Sequence, residues 1–312
     1  MIIYNFCGFN ICSRERICLL DEIDDVDDAL PTIFVEWTFN IQAKRLEEIY
    51  DNYEYETEKE AASSFCDIIP KVKIKVTERY LYYKDKILFE MNKTPANAII
   101  KVYVSNDFSL ELAKEVLISD ALPLMCMSID GCVFLHAACV MFKNKTFAFF
   151  GDTGAGKSTL TTFLGSQGFE IVSDDMICVR IKDNQVIVSK YLSVMRLWEE
   201  SYNKLECISA GRTPNGKYLV KCIDNKKYIK TLDQLFWLNR GEREIEFVPL
   251  SKMSEHIKLV SSLIMGFAYD SNELKKAYEI VSRITKEKQM YELVYANGFE
   301  RLFDLSKKLK ER

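Results

Sequence analysis

The stretch Phe147–Ser158, FAFFGDTGAGKS, constrains this 312-residue chain more than any other part of it. Gly151, Gly156, Lys157 and Ser158 complete the phosphate-cradling pattern G-x-x-x-x-G-K-[ST]. Ahead of it, Thr146–Phe150 is almost wholly apolar, as a buried parallel strand is. Behind it, Ser158–Gly165 has helical spacing, and Gly165 is placed to end the helix. Strand, glycine-rich turn and helix in that order predict an α/β domain that holds an anion at the helix start.

The residue types suit that chemistry. Gly151, Gly154 and Gly156 permit positive φ and let the backbone approach an anion closely. The whole loop, Gly151, Asp152, Thr153, Gly154, Ala155, Gly156, Lys157, Ser158 and Thr159, is the expected nucleotide-binding segment. Lys157 reaches the β- and γ-phosphates, and the Ser158 hydroxyl ligates magnesium. The competing reading is a turn that binds nothing, but such a turn needs no Lys-Ser after its last glycine.

Composition narrows the class. At 48% hydrophobic and 28% charged residues the chain can bury sizeable cores, and its length suits about two domains. A formal net charge of −4 argues against nucleic acid as a partner. The ten cysteines are scattered, and Cys12/Cys18 and Cys126/Cys132 lack C-x-x-C spacing, so they read as small buried hydrophobes in a reducing compartment. The start, MIIYNFCGFN, has no basic region or cleavage site, and the apolar stretch Cys132–Phe142 is too short to span a bilayer. The expectation is a cytoplasmic protein with no membrane partner.

Two domains are expected, at 1–115 and 116–312. The first alternates in the manner of a half-exposed sheet at Val72–Thr77, with further strand candidates at Ile2–Ile11, Ile33–Trp37, Lys86–Glu90 and Ala98–Val104. It reads as a smaller, mainly antiparallel α+β domain with a role in substrate recognition or assembly. Its acidic run Asp21–Asp28 reads as a solvated loop, with a peptide-binding patch as the sharper alternative. Asp107–Ile118 is helical and leads into the second domain. There Val133–Val140 and Lys145–Phe150 form a hairpin through Lys143-Asn144, and Met176–Ile181 pairs with Gln185–Val188 around Asp183-Asn184. Strands are expected at Tyr218–Ile223 and Glu244–Pro249, and helices at Met253–Gly266, Glu273–Ile284 and Gly298–Lys310.

Downstream of the loop, Phe169–Asp175 is a strand candidate ending in Asp174 and Asp175. A carboxylate delivered there can hold a metal beside Ser158. Successive residues on a strand face opposite ways, so the pair should divide two tasks, one acid on the metal and one on the acceptor. The plainer alternative is a turn cap. His136, in an apolar run, is either a hydrogen-bonded core histidine or the group that orients an acidic partner. Arg196 and Lys217 either neutralise phosphate and substrate charge or make ordinary salt bridges, and His256 reads as structural.

The run His136-Ala-Ala, through GDTGAGKST, to Val172-Ser-Asp-Asp175 resembles the core of HPr serine kinase/phosphorylase. The resemblance covers roughly residues 120–240. It implies a P-loop kinase fold of the HPr kinase/phosphoenolpyruvate carboxykinase-like type, with ATP and Mg2+ as cofactors. It also implies Asp174 as base for an acceptor serine, His136 beside it, and Asp175 with Ser158 on the metal. That family's E-I-R-G-x-G signature is missing. Its place is taken by Tyr191–Trp198, with Arg196-Leu-Trp198 and Gly216-Lys217, which is similar to the HPr-kinase-related branch. Some of that branch phosphorylate serine in ribosomally made peptides, such as the C-terminal serine of lasso-peptide precursors. Tyr4-x-x-x-Gly8-Phe-x-Ile11-x-Ser13 looks like the opening of those proteins. The expected activity is therefore ATP- and Mg2+-dependent phosphorylation of a serine in a peptide or small protein, by a chain able to form homo-oligomers. The alternatives are a carrier protein of the HPr type, a free small hydroxy compound as acceptor, and a nucleotide-binding switch without a kinase reaction.

Overall fold

A computed structural model describes residues 1–312 except 18, 62–67, 76, 95–97, 193, 206–208, 214–215, 222–228, 242–243 and 297. The chain divides into two units, Met1–Gly131 with Ile264–Lys276, and Cys132–Leu263 with Ala277–Arg312. The division lies beyond the expected boundary near 115, because the helical run does not stop there. Helix α2 (Leu110–Val116) passes through a π turn at Leu117–Ala121 into α3 (Leu122–Asp130), which Gly131 ends with φ +71°.

The first unit is built on a nine-stranded sheet. Its strands are β1 (Ile2–Phe6), β2 (Phe9–Ser13), β3 (Asp21–Ile23), β4 (Thr32–Ile41), β5 (Thr57–Glu60), β6 (Lys71–Lys75), β7 (Glu78–Tyr83), β8 (Ile87–Lys93) and β9 (Ala98–Ser105), with α1 (Ala43–Asp51) after β4. Their order is β3-β1-β2-β4-β9-β8-β7-β6-β5. The sheet is mainly antiparallel, with β4 parallel to both neighbours, β2 and β9. The acidic run is not all loop, since Asp21–Ile23 pairs with β1 at the edge. Charged side chains on a short edge strand discourage pairing with another chain.

In the second unit a six-stranded sheet carries the strand that leads into the glycine-rich loop. Before it come β10 (Val133–Leu135) and β11 (Ala138–Phe142), then β12 (Lys145–Phe150), helix α4 (Lys157–Ser166) and β13 (Glu170–Ser173). A hairpin follows, β14 (Ile177–Lys182) and β15 (Gln185–Ser189), then β16 (Val194–Leu197), α5 (Glu199–Lys204), β17 (Ser209–Arg212), β18 (Tyr218–Lys221) and β19 (Ile229–Thr231). The chain closes with β20 (Gln234–Gly241), β21 (Glu246–Pro249), α6 (Lys252–Ser261), α7 (Ser271–Glu287), β22 (Met290–Ala296) and α8 (Phe299–Glu311). The large sheet runs β13-β11-β12-β20-β22-β21, with β10-β14-β15-β19 and β16-β18-β17 as separate sheets. Residues 222–223 of the expected strand Tyr218–Ile223 lie outside the described residues.

Strand β12 is antiparallel to β11 and parallel to β20. Its apolar face packs Phe147 and Phe149 with Phe236, beneath Leu160, Phe163 and Leu164 of α4 and Leu302, Leu305 and Leu309 of α8. Burying side chains of this size contributes about 1.5–3 kcal/mol each, which holds the start of α4 fixed over the strand end. The hairpin turns behave as their residues predict: Lys143-Asn144 and Asp183-Asn184 all take positive φ. Two expectations change. Gly165 does not end α4; it lies inside it, where a Cβ would come within 2.7 Å of Ile171 Cδ1. The residue serves close packing on β13, and the chain turns out of the helix at Gly168, φ +87°. Val133–Val140 is likewise not one strand. It breaks at His136-Ala137, so β10 joins the β14 sheet while β11 joins the six-stranded sheet. Among the described residues no helix is long and apolar enough to cross a membrane.

Candidate active site

At the C-terminal end of β12 the backbone takes φ +148° at Gly151, +84° at Gly154 and +93° at Gly156. These values lie in the region that favours glycine, and they turn the loop back over the first turn of α4. Lys157 is 7% exposed, and its Nζ donates to the carbonyl oxygens of Gly151 at 2.7 Å and Asp152 at 3.3 Å. Burial lowers its pKa, and the carboxylates of Asp175, Asp174 and Asp152 pull it back up. The ammonium therefore lies inside the loop, held by its carbonyls and within the field of those carboxylates.

The acids follow β13 rather than lying on it. The strand ends at Ser173, and the Met176 N–H donates to Asp174 O at 2.8 Å, closing a tight turn whose centre, Asp175, has φ +69°. A non-glycine residue held there stores strain, and strain of this kind gathers at functional sites. The turn separates the two side chains. Asp174 is 3% exposed and its Oδ2 accepts the Arg196 backbone N–H at 3.4 Å. Burial, then the neighbouring Asp175, push its pKa up to about 6, while the Ser158 hydroxyl and the Arg196 and Asp175 N–H groups draw it down. The link to Ser158 is loose, because Asp174 Oδ1 makes no well-formed hydrogen bond among the described residues. Asp175 points elsewhere. Its Oδ1 lies 3.7 Å from His136 Nδ1 and its Oδ2 accepts from Arg196 at 3.3 Å, and its side chain is 29% exposed. The placement is the reverse of the expected one: Asp174 is the acid by Ser158, and Asp175 is the acid by His136.

His136 sits where the chain crosses between sheets, fixed by its own N–H to Ser262 O at 2.7 Å. Burial and then the Lys157 charge lower its pKa, which outweighs the opposing pull of Asp175. The ring is neutral at pH 7, and at 3.7 Å it is beyond hydrogen-bond range of the carboxylate. Lys217 also lowers the pKa of both His136 and Lys157, so its charge belongs to the same cluster. Thr159 bonds Ser201 of α5 through their hydroxyls at 2.7 Å. His256, the other histidine, stacks on Tyr278 away from these groups.

One residue at the loop is new. Arg240, at the end of β20, donates from Nε to Ala155 O at 3.1 Å, and its guanidinium fills the space a Cβ on Gly156 would need. Its sequence signal was the apolar run Leu235–Leu238 closing on Asn239-Arg240, a strand delivering charge at its C-terminal end. The buried, open Asp174 Oδ1 with the Ser158 hydroxyl makes an oxygen-only pair that suits Mg2+. Among the described residues no group of three or more His, Cys, Asp or Glu is arranged to hold a metal.

No protein-family model matches this chain, and no curated protein matches it. Among solved structures it is similar to the HPr(Ser) kinase/phosphatase from Coxiella burnetii, at 11% identity, over 57% of this chain and 94% of that one, with a TM-score of 0.33. A likeness of that degree decides neither fold nor activity.

Proposed function

We propose that this chain is an ATP- and Mg2+-dependent kinase of the HPr-kinase-like kind, transferring the γ-phosphoryl group to a serine hydroxyl of a peptide or small protein. The observation that carries the reading is the divergence of two acids around one phosphate loop, Asp174 at Ser158 and Asp175 at His136 and Arg196. A nucleotide switch needs the first acid and has no use for the second. Asp174 and Ser158 would hold magnesium, which would supply neutralisation of charge on the transferred phosphoryl group.

The chain's own residues do the rest. The Gly151–Thr159 loop and the α4 N-terminus hold the triphosphate, and Lys157 leaves its carbonyl partners to meet the terminal phosphates. Asp174 and Ser158 face the metal. Asp175 takes the proton from the acceptor oxygen as it attacks in line, with the Arg196 guanidinium holding that carboxylate and His136 beside it. Arg196 and Lys217 offset negative charge on the acceptor side, and Arg240 does so at the loop. Most of the rate then comes from positioning and charge neutralisation, as phosphoryl transfer requires.

The test is incubation with γ-labelled ATP, Mg2+ and serine-bearing peptides, with free serine as a second acceptor and Lys157→Ala as control. Label on a peptide, lost in the control, supports the reading. Label on free serine alone moves the acceptor to small hydroxy compounds, and release of free phosphate with neither acceptor labelled contradicts the kinase.

A further inference from the structure

We propose that the indole of Trp198 is the seat of the nucleotide's base. The inference rests on the phosphate-loop reading above and adds where the nucleoside lies. Trp198 leaves β16 two residues after Arg196 and is 60% exposed, a large apolar surface left to water at the edge of a polar cluster. The Lys217 ammonium lies 5.1 Å from the centre of its ring, over one face, and two residues back along the strand Arg196 meets Asp174 through its N–H and Asp175 through its guanidinium. One short strand thus joins an exposed indole to the acids of the candidate site. A nucleotide with its magnesium offers the complement, a charged tail tied to a flat base.

The element that carries the indole is braced against the loop. Thr159 is bonded to Ser201 of α5, and the Thr162 hydroxyl donates to Met195 Sδ of β16 at 3.6 Å. On α5 and β18, the Tyr202 and Tyr218 rings stack in parallel at 3.9 Å, and the Arg212 guanidinium lies 4.0 Å over Tyr218. The Tyr218 hydroxyl donates to Glu199 at 3.1 Å, fixing α5 to β18. The backbone that carries the indole is thus fixed before a base stacks on it, which lowers the ordering cost of binding. Stacking also tolerates any base, so ATP and GTP should bind alike.

Calorimetry of the full chain with MgATP, MgGTP and magnesium tripolyphosphate tests this. Trp198→Ala should weaken ATP and GTP about tenfold and leave tripolyphosphate within about twofold, and Trp198→Phe should restore most of the loss. Nucleotide should quench tryptophan fluorescence in the wild type and not in Trp198→Phe, in which only Trp37 and Trp237 remain. Wild-type MgATP affinity in Trp198→Ala overturns the proposal, and a matching fall in acceptor affinity would reassign the ring to the peptide. Equal loss of tripolyphosphate also overturns it, because the indole then only supports the loop. A wild-type chain that binds neither nucleotide nor tripolyphosphate sinks the phosphate-loop reading itself.

Discussion

Asp174 is buried with a carboxyl that resists ionisation, and that has a thermodynamic consequence. Its folded pKa of about 6 stands above the unfolded value near 4, so from pH 4 to pH 6 the unfolded chain releases a proton that the folded one keeps. Stability falls as pH rises through that window, by roughly 2–3 kcal/mol from this group in full. Asp174→Asn removes the penalty. Without magnesium the variant should unfold at higher temperature than wild type at pH 8, with the gap closing towards pH 4. Added Mg2+ should raise the wild-type midpoint and leave the variant's unchanged. A variant less stable than wild type at pH 8 would show that the charge is satisfied by protein groups alone. Asp175, the next residue, is partly exposed and faces His136 and Arg196 instead.

At the scale of elements, α4 depends on a close approach to β13. Gly165→Ala brings a Cβ within 2.7 Å of Ile171 Cδ1 and 3.2 Å of its Cγ1. The added methyl should cost about 1 kcal/mol despite alanine's better helix propensity. In an Ile171→Ala background the same change should cost nothing or stabilise, and denaturant midpoints of the four chains measure that coupling. Equal effects in both backgrounds would mean that helix and strand do not crowd here. Elements with local codes were legible in the sequence: the apolar strand, the glycine loop, α4 and the two hairpins with asparagine turns. What escaped was set by distant partners. The break at His136 depends on Ser262, and the role of Arg240 depends on Ala155, 85 positions away. The two acids lie past the end of β13, so strand alternation does not separate them; the left-handed turn at Asp175 does, and its sequence signal was the turn-forming Asp pair read as the plainer alternative.

In the whole molecule every residue assigned to the site lies in Cys132–Leu263, within the second unit. The nine-stranded sheet of the first unit contributes none of them. The central claim belongs to the second unit: one phosphate loop serves two acids, with Asp175 as base and Asp174 on the metal side. It is tested most directly by measuring labelled phosphoryl transfer and MgATP affinity together for Asp175→Asn. We predict that transfer falls about 10²–10⁴-fold while MgATP affinity stays within about threefold of wild type. Near-normal transfer by Asp175→Asn, or a loss of transfer matched by an equal loss of MgATP affinity, would contradict the account.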